Sequence, residues 1–193
     1  MRRKKIDRRI RKTEQQLQTG LAQLLLEKSV EKITVSELSD LVDINRGTFY
    51  LHYKDVFDML DQIENEIFID FCTLLNRYAS IFERSNTRPF LIDAFRFIAE
   101  NDEMLHVLLC KPGHLAFLNR LQAVFKENFF EHWLEKYHPK VSPQIEYFYS
   151  YILSGCMGIM IQWLNTGMKE SPEQMAKFTE IIIFEGFKFF ETK

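Results

Sequence analysis

Cysteine is scarce in this chain of 193 residues: Cys72, Cys110 and Cys156 are odd in number and widely spaced, and no CxxC pair occurs. That excludes a disulfide framework and a cysteine-based zinc site, and it reads as reduced thiols in a cytoplasmic protein. Alternating strand patterns, internal repeats and low-complexity segments are lacking too. There is no Gly-rich phosphate loop, Gly-x-Ser-x-Gly elbow, paired-carboxylate motif or HExxH, and His106, His114 and His132 are scattered. Enzyme chemistry therefore has no foothold, and no catalytic residue, metal ligand or cofactor is expected. The basic start, MRRKKIDRRIRKTEQQ, has no apolar run behind it, so no secretory signal is expected.

One stretch has the length of a membrane span, Ile145 to Leu164 (IEYFYSYILSGCMGIMIQWL). It carries Glu146, Gln162, several tyrosines and two glycines in a chain of average hydropathy, so a buried helix is expected and no membrane partner.

What is present is an ordinary globular balance, 46% hydrophobic and 27% charged, enough to bury a core without disulfides. The net charge of −2 hides an asymmetry: residues 1–54 hold 12 Lys and Arg against 7 Asp and Glu, whereas residues 55–193 hold 13 against 20. A basic head on an acidic body suggests that one end meets a polyanion.

The periodicity is helical almost throughout. Ile10, Leu17, Leu21, Leu24 and Leu25 share one face of a first helix. Thr34-Val35-Ser36-Glu37 is a capping box, with Ile33 and Leu38 spaced as a hydrophobic staple, and the helix it opens ends near Val42. Asn45 caps the next, where Ile44 and Phe49 repeat the staple spacing. Two short helices joined by a tight turn make a helix-turn-helix. A long helix follows over about 54–84, then helices over about 89–100, 102–110, 114–137 and 143–166, the last closed by Gly167, and a final one opened by Ser171-Pro172-Glu173 that runs to about Phe190. The expected fold is all-α, about nine helices: a three-helix head, residues 1–54, and a helical body, residues 55–193.

The segment DINRGTFYLHYK carries the chemistry. Glycine inside a helix costs roughly 0.5–1 kcal/mol relative to alanine, so Gly47 has to gain something from its missing side chain. In a helix-turn-helix the second helix enters the major groove, and a glycine in its first turn lets the backbone approach DNA. Arg46 can offer a fork to guanine O6 and N7 or meet only phosphate, and Thr48 can bond a phosphate or pack its methyl on thymine. Tyr50, His52 and Lys54 are placed to reach phosphates, or Tyr50 and His52 are ordinary surface residues, while Phe49 and Tyr53 point inward as anchors; Asn45 is counted with the DNA-contacting residues.

With the basic arm, the three helices and the long fourth one, ITVSELSDLVDINRGTFYLHYKD resembles the recognition region of the TetR family of bacterial transcription regulators, and the likeness covers residues 8–65. YILSGCMGIMIQWLNTGMKESPEQM resembles the eighth-to-ninth helix junction of a Gram-positive branch of that family. Asp43 stands where the family usually has the turn glycine, and Asp tolerates the left-handed conformation better than most residues. The resemblance implies Thr34 as a phosphate contact, with Thr13 possible beside it, and an arm (Arg2 to Lys5, Arg8, Arg9, Arg11, Lys12) that tracks the backbone or enters the minor groove.

It also implies a homodimer on a palindromic double-stranded operator. The pairing helices would be the last two, with Ser154, Gly155 and Gly158 allowing close approach and Tyr151, Trp163, Phe184 and Phe187 supplying bulk. A small apolar or aromatic effector would enter the middle helices, rich in Phe90, Phe95, Phe97, Met104, Phe117, Phe125, Phe129 and Phe130, although aromatic residues at this spacing also make plain core. The implied function is a dimeric repressor released by that effector; the alternative is an activator or regulator controlled by a protein co-regulator. The pocket lining is unknown at this stage.

Overall fold

A computed structural model of the chain describes residues 8–78, 87–111, 113–127 and 144–191, without the side chains of 8, 9, 144, 145 and 184–191. Among these residues there are nine α-helices and no strand: α1 Arg8–Glu27, α2 Val35–Leu41, α3 Arg46–Phe49, α4 Val56–Tyr78, α5 Arg88–Glu100, α6 Asp102–Cys110, α7 Leu115–Phe125, α8 Gln144–Asn165 and α9 Pro172–Glu191. A 3-10 turn, Val30–Lys32, links α1 to α2. The expected parts of helices over 79–84 and 128–137 fall outside the described residues, as do residues 1–7 of the basic arm, Phe129 and Phe130.

The residues form two compact units. Of the described residues, the first takes in those up to Ile67 and, from later in the chain, Glu103–Lys111. Its core holds Leu17 and Leu21 of α1, Leu38 of α2, Phe49 of α3 and Met59 of α4, each fully buried. Ile10 departs from expectation: it lies beyond this core at 42% exposure. Gly20 is buried on the same side of α1. A Cβ there would come within 2.3 Å of Val42 Cγ1 and 3.1 Å of Leu38 Cδ1, so the missing side chain lets the end of α2 settle onto α1. Lys111, just past α6, donates from Nζ to the Leu26 carbonyl at 3.1 Å. That places a cation on one of the open carbonyls at the C-terminal end of α1, where the helix dipole favours it.

The second unit comprises the described residues of Phe68–Asp102 and those that follow residue 112. Here α5 packs mainly along α9. Phe95 is fully buried, and the Trp163 ring meets it edge-on at 5.3 Å. Two arginines on one side of α5 reach α9: Arg88 donates to Glu180, and Arg96 Nη2 donates to Glu173 Oε1 at 2.7 Å. The Tyr78 hydroxyl donates to Asp93 at 2.5 Å. Pro89 sits in the first turn of α5, where a missing N–H costs nothing.

Helix ends follow their sequence signals. Ser171 Oγ accepts from the Gln174 backbone N–H while Gln174 Oε1 accepts from Ser171 N–H, a reciprocal capping box that opens α9. Gly167 closes α8 with φ +78; its N–H bonds the Leu164 carbonyl and that of Met168 bonds the Trp163 carbonyl, the paired bonds of a Schellman ending.

Candidate nucleic-acid interface

Thr34 begins the candidate interface. Its backbone is extended and its hydroxyl oxygen accepts from the Glu37 N–H at 3.2 Å, so it is the N-cap of α2. Glu37 does not answer with the second half of the box; its carboxylate pairs instead with Lys28 Nζ. Ile33 and Leu38, at the staple positions, are both buried. Thr34 itself is exposed, and its hydroxyl proton remains available to a phosphate oxygen.

The turn after α2 is closed by Asp43. Its φ of 54 is left-handed, as expected for a residue standing in a glycine position. The Asp43 N–H reaches the Asp40 carbonyl at 3.5 Å and the Ile44 N–H reaches that of Ser39 at 2.9 Å, again a Schellman pattern. Three residues separate the end of α2 from Asn45, which caps α3: its side-chain oxygen accepts from the Gly47 N–H at 2.7 Å. A Cβ on Gly47 would lie 3.1 Å from that oxygen, so the glycine leaves room for the cap as well as opening the backbone to a ligand.

α3 is a single turn, Arg46–Phe49. After Phe49 the chain tightens: His52 and Tyr53 N–H groups both bond the Phe49 carbonyl, at 2.9 and 3.0 Å. Phe49 is fully buried and Tyr53 nearly so, their rings 5.7 Å apart, and together they hold the turn against the core. Burying a ring of this size contributes roughly 1.5–3 kcal/mol, enough to outweigh the glycine. Burial pushes Tyr53 up to about 12, helped by the nearby carboxylates Glu14, Glu66 and Asp58.

With the anchors inside, the remaining residues divide. Arg46, Gly47, Tyr50 and Lys54 are exposed and Thr48 is half-exposed. Arg46 donates from Nη2 to the Ser36 hydroxyl on α2. Tyr50 is 60% exposed, its ring edge-on to Phe49. Leu51 is 82% exposed, an open apolar side chain that the sequence reading passed over. His52 is set apart from the others: its side chain is only 14% exposed and Nδ1 lies 3.3 Å from Glu14 on α1. The Lys54 N–H is accepted by Asp58 at 2.9 Å and the Asp58 N–H by Asp55 at 2.8 Å, which caps α4 directly behind the interface. The first of these bonds, reinforced by Gln62, holds Asp58 below the usual carboxylate range. Arg11 and Lys12 of the arm are exposed and Thr13 half-exposed on α1.

In the second unit, Tyr151, Ser154, Gly155 and Gly158 are exposed on α8, along with Tyr147, at spacings that put them on one face. Among the described residues, a Cβ on either glycine would meet nothing within 4 Å. So one side of α8 is open in the single chain, the side on which the small residues expected for pairing lie. Trp163, expected on that face, belongs elsewhere. It is 2% exposed, and its indole N–H donates to the Glu170 carbonyl at 3.1 Å, because the Schellman turn folds residues 168–170 back over it. Phe184 and Phe187 lie on α9 outside the described side chains. Exposed Phe178 and Ile181 on the same helix are apolar positions the sequence reading did not single out.

Of the residues expected around an effector, Phe90, Phe95, Phe117 and Met104 are buried, and the Phe90 ring meets those of Tyr78 edge-on at 5.7 Å and Phe125 at a tilt at 6.2 Å. They form core. An open depression of about 540 Å³ is lined instead by Tyr78, Arg88, Pro89, Ile92, Asp93, Arg96 and Glu180. Among the described residues no group of three or more His, Cys, Asp or Glu could hold a metal ion, and no helix is long and apolar enough to cross a membrane.

A capped helix-turn-helix with basic and hydroxyl side chains on its open edge, followed by a helical body, defines the class: helix-turn-helix transcription regulators. The comparisons agree. The TetR-type family described as "Transcriptional regulator C-terminal region" matches residues 85–185, over half of the chain. The "Uncharacterized HTH-type transcriptional regulator YxbF" of Bacillus subtilis is 25% identical over 172 residues, 85% of this chain; the chain spans 43% of that relative's length. A TetR transcriptional regulator from Streptococcus agalactiae superimposes with a TM-score of 0.58 at 22% identity, covering 92% of this chain and 96% of the other. The dihydroxyacetone kinase operon activator DhaS superimposes with a TM-score of 0.58 at 17% identity, covering 92% and 97%. This chain belongs to the TetR family of transcription regulators.

Proposed function

We propose that the protein is a dimeric repressor that binds a palindromic operator through residues 1–54 and is released by a small apolar or aromatic effector acting on residues 55–193. The observation that carries the DNA-binding reading is the division of labour at the helix-turn-helix. Phe49 and Tyr53 are buried while Thr34, Arg46, Gly47, Tyr50 and Lys54 stay open, and Asn45 spends its side chain as the cap. Arg46 is the candidate for reading a base, Thr34, Thr48, Tyr50 and Lys54 for phosphates. His52, turned to Glu14, supports the segment from behind. The dimer reading rests on the open Tyr147, Tyr151, Ser154, Gly155 and Gly158 face of α8.

The aromatic packing of the second unit favours a second reading, an activator or regulator controlled by a protein co-regulator, and one similar structure is named an operon activator. A gating ligand stabilises the folded state by mass action. Thermal unfolding with candidate metabolites therefore separates the two readings, since a partner-gated protein gains nothing from them.

The deciding experiment is selection of bound duplexes from a random pool, followed by binding of the winner at two salt concentrations. A palindrome with two half-sites about one helical turn apart is expected. Six to ten phosphate contacts would weaken binding about 10³–10⁵-fold between roughly 50 and 200 mM salt. Weak, sequence-indifferent binding would overturn the repressor reading.

A further inference from the structure

Arg46 occupies the first position of α3, exposed, with a long side chain whose ordering normally opposes binding. Here it is already ordered. Its Nη2 donates to the Ser36 hydroxyl, and that hydroxyl in turn donates to Asp40 Oδ2 at 3.3 Å. A serine hydroxyl has one proton and spare lone pairs, so the relay has a single direction, from guanidinium to hydroxyl to carboxylate. Each link is charge-assisted and lends strength to the next. Ser36 and Asp40 stand four apart on one face of α2, the helix that precedes the reading segment. The relay takes one N–H from a planar fork and leaves its other donors for a ligand.

We propose that Ser36, backed by Asp40, is a positioning residue for sequence reading: it presets the Arg46 guanidinium so that its remaining donors face a guanine in the groove. The proposal rests on the reading of Arg46 as a base contact. It assigns a role in specificity to two residues of α2 that touch no base themselves, and it makes that role dependent on the hydroxyl and not on the bulk of residue 36.

The test uses the full chain and the selected duplex, together with a panel of that duplex carrying each base pair substituted in turn. Dissociation constants are measured for the parent, Arg46→Ala, Ser36→Ala, Ser36→Thr and the Ser36→Ala/Arg46→Ala double variant, with thermal unfolding of each. Arg46→Ala should lose about 10- to 100-fold on the selected duplex and become indifferent at one base pair, as for a bidentate contact. Ser36→Ala should lose about 3- to 10-fold, relax the same base pair, and leave the salt slope and melting temperature unchanged. The double variant should be no weaker than Arg46→Ala, because residues that act through one another are not additive. Ser36→Thr should restore binding.

Two failures are separable. If Arg46→Ala weakens all duplexes equally, the base-reading assignment is wrong and the positioning role falls with it. If Arg46→Ala is position-specific while Ser36→Ala is silent, additive or tighter-binding, only the positioning role is overturned; tighter binding would mean that Ser36 restrains Arg46 away from DNA.

Discussion

Asp43 shows how far a single residue can be read from sequence. A left-handed backbone costs a non-glycine residue roughly 1–2 kcal/mol, less for Asp, whose short side chain bonds locally. The alternative would lose two turn hydrogen bonds and the entry to α3. Asp43→Gly should therefore hold or raise stability by up to about 1 kcal/mol, whereas Asp43→Val should lose about 1–2 kcal/mol; urea unfolding of the three proteins measures both. An equal response to glycine and valine would show that the turn does not need φ above zero. Asp43 was legible because the need is local. His52 was not, since its partner Glu14 lies 38 positions earlier in the chain and no spacing rule connects them.

At the scale of elements, caps and periodicity were legible and their quality was not. Both Thr34 and Ser171 open helices as their motifs indicate, yet only Ser171–Gln174 is reciprocal, because Lys28 draws the Glu37 carboxylate away. Gly20 makes the contrast sharpest. By helix propensity alone Gly20→Ala would gain about 1 kcal/mol. The added methyl would overlap Val42, and overpacking of this kind costs about 1–3 kcal/mol. A net loss of about 1 kcal/mol is expected by urea unfolding, with weakened DNA binding as the end of α2 is pushed out. A gain in stability would mean that Val42 can turn aside. On α8, Gly155 and Gly158 have open space where Gly20 has none, so equal residue types carry opposite expectations.

That open face sets a prediction for the whole molecule. Gly158→Arg should leave the monomer folded, since among the described residues nothing lies within 4 Å of a Cβ there, but should block pairing through α8. On the proposed dimer, sedimentation should then report a monomer for the variant and a dimer for the parent; an unchanged dimer would move the interface elsewhere. Alkali probes the same molecule in another way. Burial lifts Tyr53 and Tyr149 to about 12 and Cys156 to about 11. The unfolded chain releases these protons earlier, at about 8.5 for a thiol and about 10 for a phenol. Stability is thus whole below those values and falls as pH climbs toward 12. Tyr53→Phe should flatten the decline above about pH 10 in urea unfolding followed by a probe in the first unit, and an unaltered decline would assign it to other groups.

What the sequence determined by itself was whatever depends on near neighbours: helix periodicity, the caps at Thr34, Asn45 and Ser171, the left-handed Asp43, and the inward Phe49 and Tyr53. These forces act within about one helical turn, so their residues stand close together in the chain. Tertiary structure decided the rest. It grouped Glu103–Lys111 with the first unit, turned Trp163 into its own core and left α8 open on one side. It also set Arg46 against Ser36 and His52 against Glu14. Those outcomes depend on which surfaces meet when helices distant in sequence pack together, and no rule of spacing carries that information.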